Sequence, residues 1–176
     1  FDSLMNAMER AGAARLNSQE IDRLTSAAMI QVGEDNHDAP SKECLGQDAA
    51  KLAQFAGRQV PAGTELVFGE TDEHHPFVSV EQMMPFLPFV RCRNVDEAIQ
   101  KAKHYEHGFR HTSIIHSHDV RNMTRMGRIM DTTLFVKNGP CMASLGLGGE
   151  GYLSFSIAGP TGEGVTTPLT FTRERR

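Results

Sequence analysis

The stretch from residue 135 to residue 151, FVKNGPCMASLGLGGEG, holds the residues whose types most suggest chemistry. Cys141 follows a Gly-Pro turn, where a thiol can be exposed. A nucleophilic cysteine needs a neighbouring base or a helix N-terminus that lowers the pKa of its thiol. The sequence shows neither beside Cys141, so we interpret it as a small, half-buried apolar residue in preference to a nucleophile.

The glycines of the same stretch match the dinucleotide-binding pattern G-x-G-x-x-G from Gly146 to Gly151. That fingerprint requires a strand directly before the glycines and a helix directly after them. Here the predicted strand ends near Lys137, and residues 152–157 alternate in polarity as an extended segment does. We therefore predict a glycine loop that shapes the structure, and no pyrophosphate site.

Five histidines lie between His104 and His118, which raises the question of a metal site. His104 and His107 fall at a predicted helix end, whereas His111 and His116 lie five residues apart on a predicted strand. Alternation along a strand points these last two side chains to opposite faces. We predict no shared metal ion, and we expect one of the two to face a cleft and move a proton near neutral pH.

Glu81 stands in the segment EQMMP, between apolar residues and a proline, which is not the composition of an ordinary surface loop. Buried carboxylates are rare unless they are paired, so we expect Glu81 to have a polar partner. The residues alone leave a functional role and a structural role equally open.

A basic stripe lies on one predicted helix face, formed by Arg121, Arg125 and Arg128. Such a stripe is usually solvated, because long cationic side chains keep their charges in water. Binding of a coenzyme phosphate is the less favoured interpretation.

The bulk composition predicts one soluble globular domain, because 176 residues can bury one core and 39% of them are hydrophobic. A net charge of −4, made of interspersed acids and bases, argues against nucleic acid as a partner. No apolar run approaches the roughly 20 residues that cross a bilayer. Three cysteines without a C-x-x-C pair argue against a disulfide framework and predict a reducing, cytoplasmic location.

The elements that must position these residues alternate in the second half of the chain. Asn94 and Glu97 predict a helix start by a capping box, and Asp119 predicts the start of another helix. Strands are predicted over 111–116 and 132–137. Alternating helices and strands imply parallel pairing with helices over the sheet faces, so we predict an α/β fold with a mostly parallel sheet.

In the first half, Ser18 is predicted to cap a helix whose apolar stripe continues to Val32. Residues 33–42 are polar and are predicted to form a loop. Further predictions are a helix over 47–57 and strands over 65–68 and 89–92.

Several motifs, taken in order, resemble aldehyde dehydrogenases. The resemblance to that family's Glu-x-Phe-Gly-Pro segment and following helix lies in Glu81-x-x-x-Pro85, LPFVR at 87–91 and NVDEAI at 94–99. Four further motifs resemble the family's CoA-acylating branch: His111-Thr112, FVKNGP at 135–140, the glycine run 146–151 and PTGEGVT at 160–166. This branch comprises the propionaldehyde and acetaldehyde dehydrogenases of propanediol and ethanolamine utilisation.

The resemblance implies that residues 1–176 form a single domain, the three-layer C-terminal catalytic or substrate domain of such an enzyme. The N-terminal nucleotide-binding domain and the segment with the nucleophilic cysteine would then be absent. Residues 152–176 are expected to be an extended C-terminal segment used in oligomerisation. Because the chain opens at Phe1 without an initiator methionine, we expect a piece of a longer protein.

For the whole enzyme, the resemblance implies oxidation of a short aliphatic aldehyde, propionaldehyde or acetaldehyde, to its acyl-CoA with NAD, through a thioacyl-enzyme. Glu81 matches the glutamate that accepts hydrogen bonds from the nicotinamide ribose hydroxyls. His111 matches a histidine linked to catalysis, which could deprotonate or orient the thiol of coenzyme A. Met83 and Met84 depart from the family's Phe-Gly, which changes the expected contact with the nicotinamide.

The implied partners are the aldehyde, the enzyme's own N-terminal domain, the other subunits of a homo-oligomer, and shell proteins or enzymes of a bacterial microcompartment. Neither nucleic acid nor a membrane is expected, and the location would be the cytoplasm or the inside of a microcompartment. Two alternatives stay open: a non-catalytic folding and assembly module, and a domain of a non-acylating aldehyde dehydrogenase.

Overall fold

The computed structural model describes residues 1–148, 153–154 and 165–173 of the chain. They belong to two compact units, Phe1–Arg91 and Cys92–Arg176. Three of the four strand pairings in the described residues are parallel, so the predicted α/β class with mostly parallel strands is confirmed. The single domain over 1–176 stays a prediction. Apart from 153–154 and 165–173, the predicted extended segment 152–176 lies outside the described residues.

The first unit combines four helices, a parallel sheet and a hairpin in its described residues. The helices are Asp2–Arg10 (α1), Ser18–Ala28 (α2), Ala49–Phe55 (α3) and Pro76–Ser79 (α4). The strands are Ala14–Arg15 (β1), Met29–Val32 (β2), His37–Pro40 (β3), Val67–Thr71 (β4) and Phe86–Val90 (β5). The parallel sheet has the order β1-β4-β5, and β2 and β3 form a separate antiparallel pair.

The start of α2 corrects the predicted cap by one residue. Asn17, not Ser18, is the N-cap: its Oδ1 accepts a hydrogen bond from the Glu20 backbone N–H at 3.0 Å. The Glu20 carboxylate accepts in return from the Asn17 N–H at 2.8 Å, which completes a capping box. Asparagine and serine cap about equally well, so composition alone did not separate the two neighbours.

The prediction of a loop over 33–42 is wrong, and so is the continuation of the α2 stripe to Val32. Val32 lies in β2, which pairs antiparallel with β3 in register Val32 to His37. The turn between them contains Gly33, whose φ of 75° suits a residue without a side chain. Both strands are largely exposed or half-buried, so they lack the apolar alternation that marks a strand in a sequence.

The core of the first unit fills the space between the parallel sheet, α2 and α3. Its largest fully buried side chains include Phe68, Phe77, Leu24 and Leu52. The rings of Phe77 and Phe86 pack with centroids 4.6 Å apart, at the two ends of the segment that carries Glu81. That segment is therefore anchored in the core on both sides.

The predicted helix over 47–57 is confirmed as α3, and the two predicted strands are observed with different bounds. The strand predicted over 65–68 is observed over Val67–Thr71, and that predicted over 89–92 is observed over Phe86–Val90. Pro88 lies inside β5, which is an edge strand of the described sheet. An edge tolerates proline because one side of the strand needs no ladder donor.

The second unit follows the predicted alternation of helices and strands. Its described elements are Val95–Tyr105 (α5), Thr112–Ile115 (β6), Val120–Met130 (α6), Leu134–Lys137 (β7), Cys141–Ser144 (α7) and a 3₁₀ helix at Pro168–Phe171. β6 and β7 pair in parallel, and the side chains of Ile99, Ile115, Met126 and Met130 form the buried centre.

The predicted helix starts at Asn94 and Asp119 are confirmed. Asn94 Oδ1 accepts from the Glu97 N–H at 2.9 Å, and Asp119 Oδ1 accepts from the Arg121 N–H at 2.8 Å. The Glu97 carboxylate, however, accepts from the Arg93 N–H at 2.8 Å, one residue before the cap. None of the helices in the described part of the chain has the length and apolar character that a bilayer crossing requires.

Candidate functional site

Glu81 lies in the irregular segment between α4 and β5, and its side chain is exposed to solvent. No hydrogen bond or ion pair joins it to another residue within the described ranges. The expectation that Glu81 has a polar partner is therefore wrong for this part of the chain. The apolar neighbours in the sequence had suggested burial, but only Val80 and Met84 pack against the core, and the side chain of Glu81 is exposed.

The backbone around Glu81 is held by contacts on both sides. The Gln82 Nε2 donates to the Phe77 carbonyl at 2.8 Å, and the Gly46 N–H donates to the Met83 carbonyl at 3.3 Å. Met84 packs against the core, whereas Met83 is 66% exposed with a left-handed φ of 44°. An unpaired, exposed carboxylate on a well-anchored segment can accept two hydrogen bonds from a ligand.

His111 lies directly before β6 and is exposed. Its Nδ1 is 2.6 Å from the Thr112 hydroxyl oxygen, and its backbone N–H donates to the Glu106 carboxylate at 3.2 Å. Its carbonyl accepts from the Leu134 N–H at 3.0 Å, so the residue continues the parallel ladder. These contacts fix the backbone and one ring nitrogen, and they leave Nε2 available for proton transfer.

The observed strand contains neither histidine that had been placed on it. His111 precedes Thr112–Ile115 and His116 follows it, and both side chains are exposed. Because neither lies within the strand, alternation does not decide which of them serves a site, and the orientation of His111 towards a cleft stays a prediction. No group of histidine, cysteine, aspartate and glutamate in the described residues is arranged to hold a metal ion.

Asn138 is a positioning residue that the sequence patterns did not single out. Its Oδ1 accepts from the Ser117 N–H at 2.8 Å, while its Nδ2 donates to the Ser117 carbonyl at 2.9 Å. The side chain thus joins the residues that follow β6 and β7 and fixes the edge next to His116. Its φ of 53° is left-handed, which asparagine tolerates better than most residues. The Asn-Gly-Pro sequence carried this turn signal.

Cys141 is the first residue of α7, a helix of four residues. The expectation that no helix begins there is wrong, and the side chain is exposed where a half-buried one was expected. Desolvation of the sulfur nevertheless raises the pKa of the Cys141 thiol above its ordinary value. A thiol with a raised pKa carries less thiolate at neutral pH, which argues against a nucleophile at this position.

The glycine loop follows α7. Its residues Gly146 and Gly148 have left-handed φ values of 98° and 68°. The short helix precedes these glycines, whereas the dinucleotide fingerprint needs one after them. Residues 149–152 and 155–164 lie outside the described residues.

The basic stripe on α6 is partly neutralised. Arg121 lies 3.5 Å from the Asp119 carboxylate, and Arg125 pairs with Asp96. This pairing favours the interpretation of the three arginines as a solvated surface stripe over binding of a coenzyme phosphate.

Comparison with known proteins gives close matches over nearly the whole chain. The acetaldehyde dehydrogenase (acetylating) EutE of Salmonella typhimurium is 45% identical over 175 residues, which are 99% of this chain and 38% of EutE. The crystal structure of Rhodopseudomonas palustris propionaldehyde dehydrogenase with bound propionyl-CoA superposes with a TM-score of 0.88 at 42% identity, again over 99% of this chain and 38% of the other. Over 99% of its length, the chain resembles acylating aldehyde dehydrogenases.

A third relative comes from a known cellular setting. The propionaldehyde dehydrogenase of the Clostridium phytofermentans fucose utilisation bacterial microcompartment is 36% identical with a TM-score of 0.86, over 99% of this chain and 39% of its own. No protein-family model matches the chain. The chain thus spans less than two fifths of the length of these relatives, and its placement in the C-terminal part of an acylating aldehyde dehydrogenase stays a prediction.

Proposed function

We propose that this chain is part of an NAD-dependent, CoA-acylating aldehyde dehydrogenase that acts on a short aliphatic aldehyde, propionaldehyde or acetaldehyde. The overall reaction joins the aldehyde carbonyl carbon to the coenzyme A sulfur, moves the aldehyde hydrogen as a hydride to NAD and releases the thiol proton. The observation that carries the proposal is the 45% identity over 175 residues to an acetylating acetaldehyde dehydrogenase. The acetylating activity named for EutE and the propionyl-CoA bound to the Rhodopseudomonas palustris relative favour this branch over the non-acylating one.

Glu81 is proposed to hold the ribose of the nicotinamide nucleotide. Its carboxylate is exposed and has no partner within the described residues, so it can accept hydrogen bonds from two neighbouring ribose hydroxyls without breaking an existing contact. The nucleotide, when bound, accepts the hydride. The chain contributes the orientation of the nucleotide, because Glu81 stands on a backbone held by Gln82 and Met83.

His111 is proposed to accept the proton of the incoming coenzyme A thiol. If Nδ1–H donates to the Thr112 hydroxyl 2.6 Å away, Nε2 is unprotonated and can act as the base. The Glu106 carboxylate holds the backbone N–H of His111 and so limits rotation of the turn before β6. The thiolate formed in this way attacks the acyl carbon of the thioester on a cysteine of the longer enzyme, and the thiolate of that cysteine leaves.

The cellular setting is proposed from the same relatives. We place the longer enzyme in the cytoplasm or inside a bacterial microcompartment, as a homo-oligomer in contact with its own N-terminal domain and with shell or enzyme partners. The origin of one close structural relative in a fucose utilisation microcompartment supports this setting. The rival proposal treats the present chain as a non-catalytic folding and assembly module, which has no turnover by itself with aldehyde, NAD and coenzyme A. It is compatible with the first proposal if the longer protein is the enzyme.

Substitution of Glu81 by glutamine in the longer enzyme tests the ribose contact. A hydrogen bond to a charged acceptor contributes about 1.5–3 kcal/mol, so Glu81→Gln should weaken NAD binding or transition-state binding roughly ten- to a hundredfold. Because Glu81 has no partner within the described residues, the thermal unfolding midpoint should not change. Glu34→Gln, the same charge change at an exposed residue of the first unit, is the control. Unchanged NAD affinity and hydride-transfer rate in Glu81→Gln would count against the ribose role.

A further inference from the structure

His75 is a half-buried histidine that caps α4, the four-residue helix before the Glu81 segment. Its Nδ1 accepts a hydrogen bond from the Phe77 backbone N–H at 3.2 Å. An imidazole nitrogen accepts only when it carries no proton, so Nδ1 is bare in this arrangement. The cap therefore exists only in the neutral form of His75.

The other ring nitrogen contacts α2. His75 Nε2 lies 3.3 Å from the Thr25 hydroxyl oxygen, and that hydroxyl donates its single proton to the Ile21 carbonyl at 2.7 Å. The hydroxyl has no second proton to donate, so Nε2 must be the donor in the contact with Thr25. The two contacts together define one neutral tautomer, with the proton on Nε2.

A short chain of contacts leads from His75 to Glu81. The His75 ring stacks on the Phe77 ring, with centroids 5.4 Å apart and an interplanar angle of 22°. The carbonyl of the same Phe77 accepts the hydrogen bond of Gln82 Nε2 at 2.8 Å, and Gln82 is the residue directly after Glu81. His75 therefore holds both the backbone N–H and the ring of the residue to which the Glu81 segment is attached.

We propose that His75 is a positioning residue for Glu81: its neutral imidazole fixes α4 between α2 and the Glu81 segment, and its protonation releases that segment. The proposal rests on the proposed role of Glu81 in nucleotide binding. Protonation places an N–H of the ring against the Phe77 N–H, so two donors face each other and the cap is lost. Nucleotide binding then weakens because the carboxylate is no longer held in one place.

The charges around His75 set the pH range of this release. Burial lowers the pKa of His75 below its ordinary value of 6.5, while the carboxylates of Asp72, in the preceding turn, and Asp22, on α2, act in the opposite direction. When folding lowers the pKa of a base, its neutral form stabilises the folded arrangement at pH values above the pKa of the unfolded state. This stabilisation is lost as the pH falls through the pKa of the folded state. Release is therefore expected below pH 6.5.

The test uses the longer enzyme with His75→Asn and His75→Ala, and His74→Ala as the control at the exposed neighbour. Asparagine offers an acceptor oxygen for the cap and does not titrate, whereas alanine offers none. Loss of one cap bond corresponds to about a two- to thirtyfold change in an equilibrium constant. We expect His75→Ala to raise the KM for NAD by that factor with a smaller effect on kcat, and His75→Asn to restore it near pH 8.

The pH profile separates positioning from a general structural role. In the unsubstituted longer enzyme, the KM for NAD should rise as the pH falls below 6.5. In the His75→Asn variant this rise should disappear. Backbone hydrogen exchange over residues 76–86 should be faster in His75→Ala and unchanged in His74→Ala. If His75→Ala does not fold, His75→Gln, which can keep the donor to Thr25 but lacks the acceptor near the backbone, takes its place.

Hydrogen exchange also separates this proposal from the proposed role of Glu81. Faster exchange over 76–86 in His75→Ala, together with an unaffected Glu81→Gln enzyme, would support the positioning by His75 and overturn the ribose contact. Unchanged exchange and unchanged KM in His75→Ala, beside a weakened Glu81→Gln enzyme, would overturn the positioning alone. Persistence of the parent's pH dependence in His75→Asn would likewise overturn the positioning by His75.

Discussion

Substitution of Gly69 by alanine provides a sharp test of the packing between β4 and α2. A Cβ atom at Gly69 would lie 2.5 Å from Ile21 Cδ1 and 3.0 Å from the Leu16 carbonyl oxygen. Ile21 is 3% exposed and belongs to the core, so its side chain has no free space to turn into. The Leu16 carbonyl belongs to a backbone whose N–H donates to the Phe68 carbonyl at 2.7 Å, so it moves only by straining the sheet.

The magnitude follows from two opposing effects. Overpacking of a filled core costs about 1–3 kcal/mol. Alanine in place of glycine at an ordinary backbone conformation gains about 0.4–1 kcal/mol through the unfolded chain. The net expectation is a loss of roughly 1–2 kcal/mol in the free energy of unfolding, or about 2–8 °C in Tm.

Urea unfolding followed by circular dichroism measures this loss, with Gly139→Ala as the control. At Gly139 the nearest atoms to a built Cβ lie 3.7 Å and 3.8 Å away, so alanine there should be neutral or stabilising by up to about 1 kcal/mol. Ile21→Val removes the closest clashing atom and costs about 0.5–1.5 kcal/mol by itself. The double substitution should therefore cost at least about 0.5 kcal/mol less than the sum of the single changes.

Two results would refute this reasoning. If Gly69→Ala is as stable as the parent protein, β4 and α2 are not packed as closely as the distances require. If the costs of Gly69→Ala and Ile21→Val simply add, the clash with Ile21 is not the cause of the instability.

Four further outcomes follow from the second unit. His111→Asn in the longer enzyme should slow acyl transfer to coenzyme A more than the NADH burst in rapid-mixing kinetics, and a collapsed burst with normal thiolysis would instead favour a role in the first addition. Cys141, whose thiol pKa is raised above 9.0 by desolvation, should react slowly with iodoacetamide at neutral pH, and rapid labelling there would contradict its assignment as a non-nucleophile. Asn138→Ala should lower the free energy of unfolding by about 2–4 kcal/mol, because it removes two hydrogen bonds to Ser117 and places alanine at a left-handed φ. Asn138→Gly should lower it by less, because glycine adopts this φ without strain, and equal losses would rule out the backbone contribution. Hydrogen bonds from Arg93 lower the pKa of Glu97 to about 2. The charged carboxylate therefore stabilises the folded protein above pH 4.5, and this stabilisation is lost as the pH falls through about 2. Glu97→Gln should flatten the acid limb of a stability–pH curve.

The sequence by itself determined the elements whose signals are local. The capping residues Asn94 and Asp119 mark helix starts because a cap and the N–H it bonds lie within three residues of each other. The alternation of helices and strands after Asn94 was enough to require parallel pairing, which β6 and β7 confirm. The order of the motifs led to the acylating aldehyde dehydrogenases, with which the relatives agree.

Only the tertiary structure decided the surroundings of Glu81 and Asn138. Composition suggested a paired Glu81, but burial depends on which neighbours find space in a core built from distant segments, and here Met84 takes that place. Asn138 lies 21 residues from Ser117, and the two meet because β6 and β7 are neighbours in a sheet. No period or spacing in the sequence carries that information.

The same reason explains why His75 escaped attention in the sequence. No pattern around His75 marks it in the sequence, whereas its tautomer follows from Thr25, 50 residues away. A hydrogen bond between residues so distant depends on the packing of α2 against the segment before α4. Local propensity acts within a few residues, so the tertiary contact, and not the local sequence, decided the protonation state of the residue that caps α4.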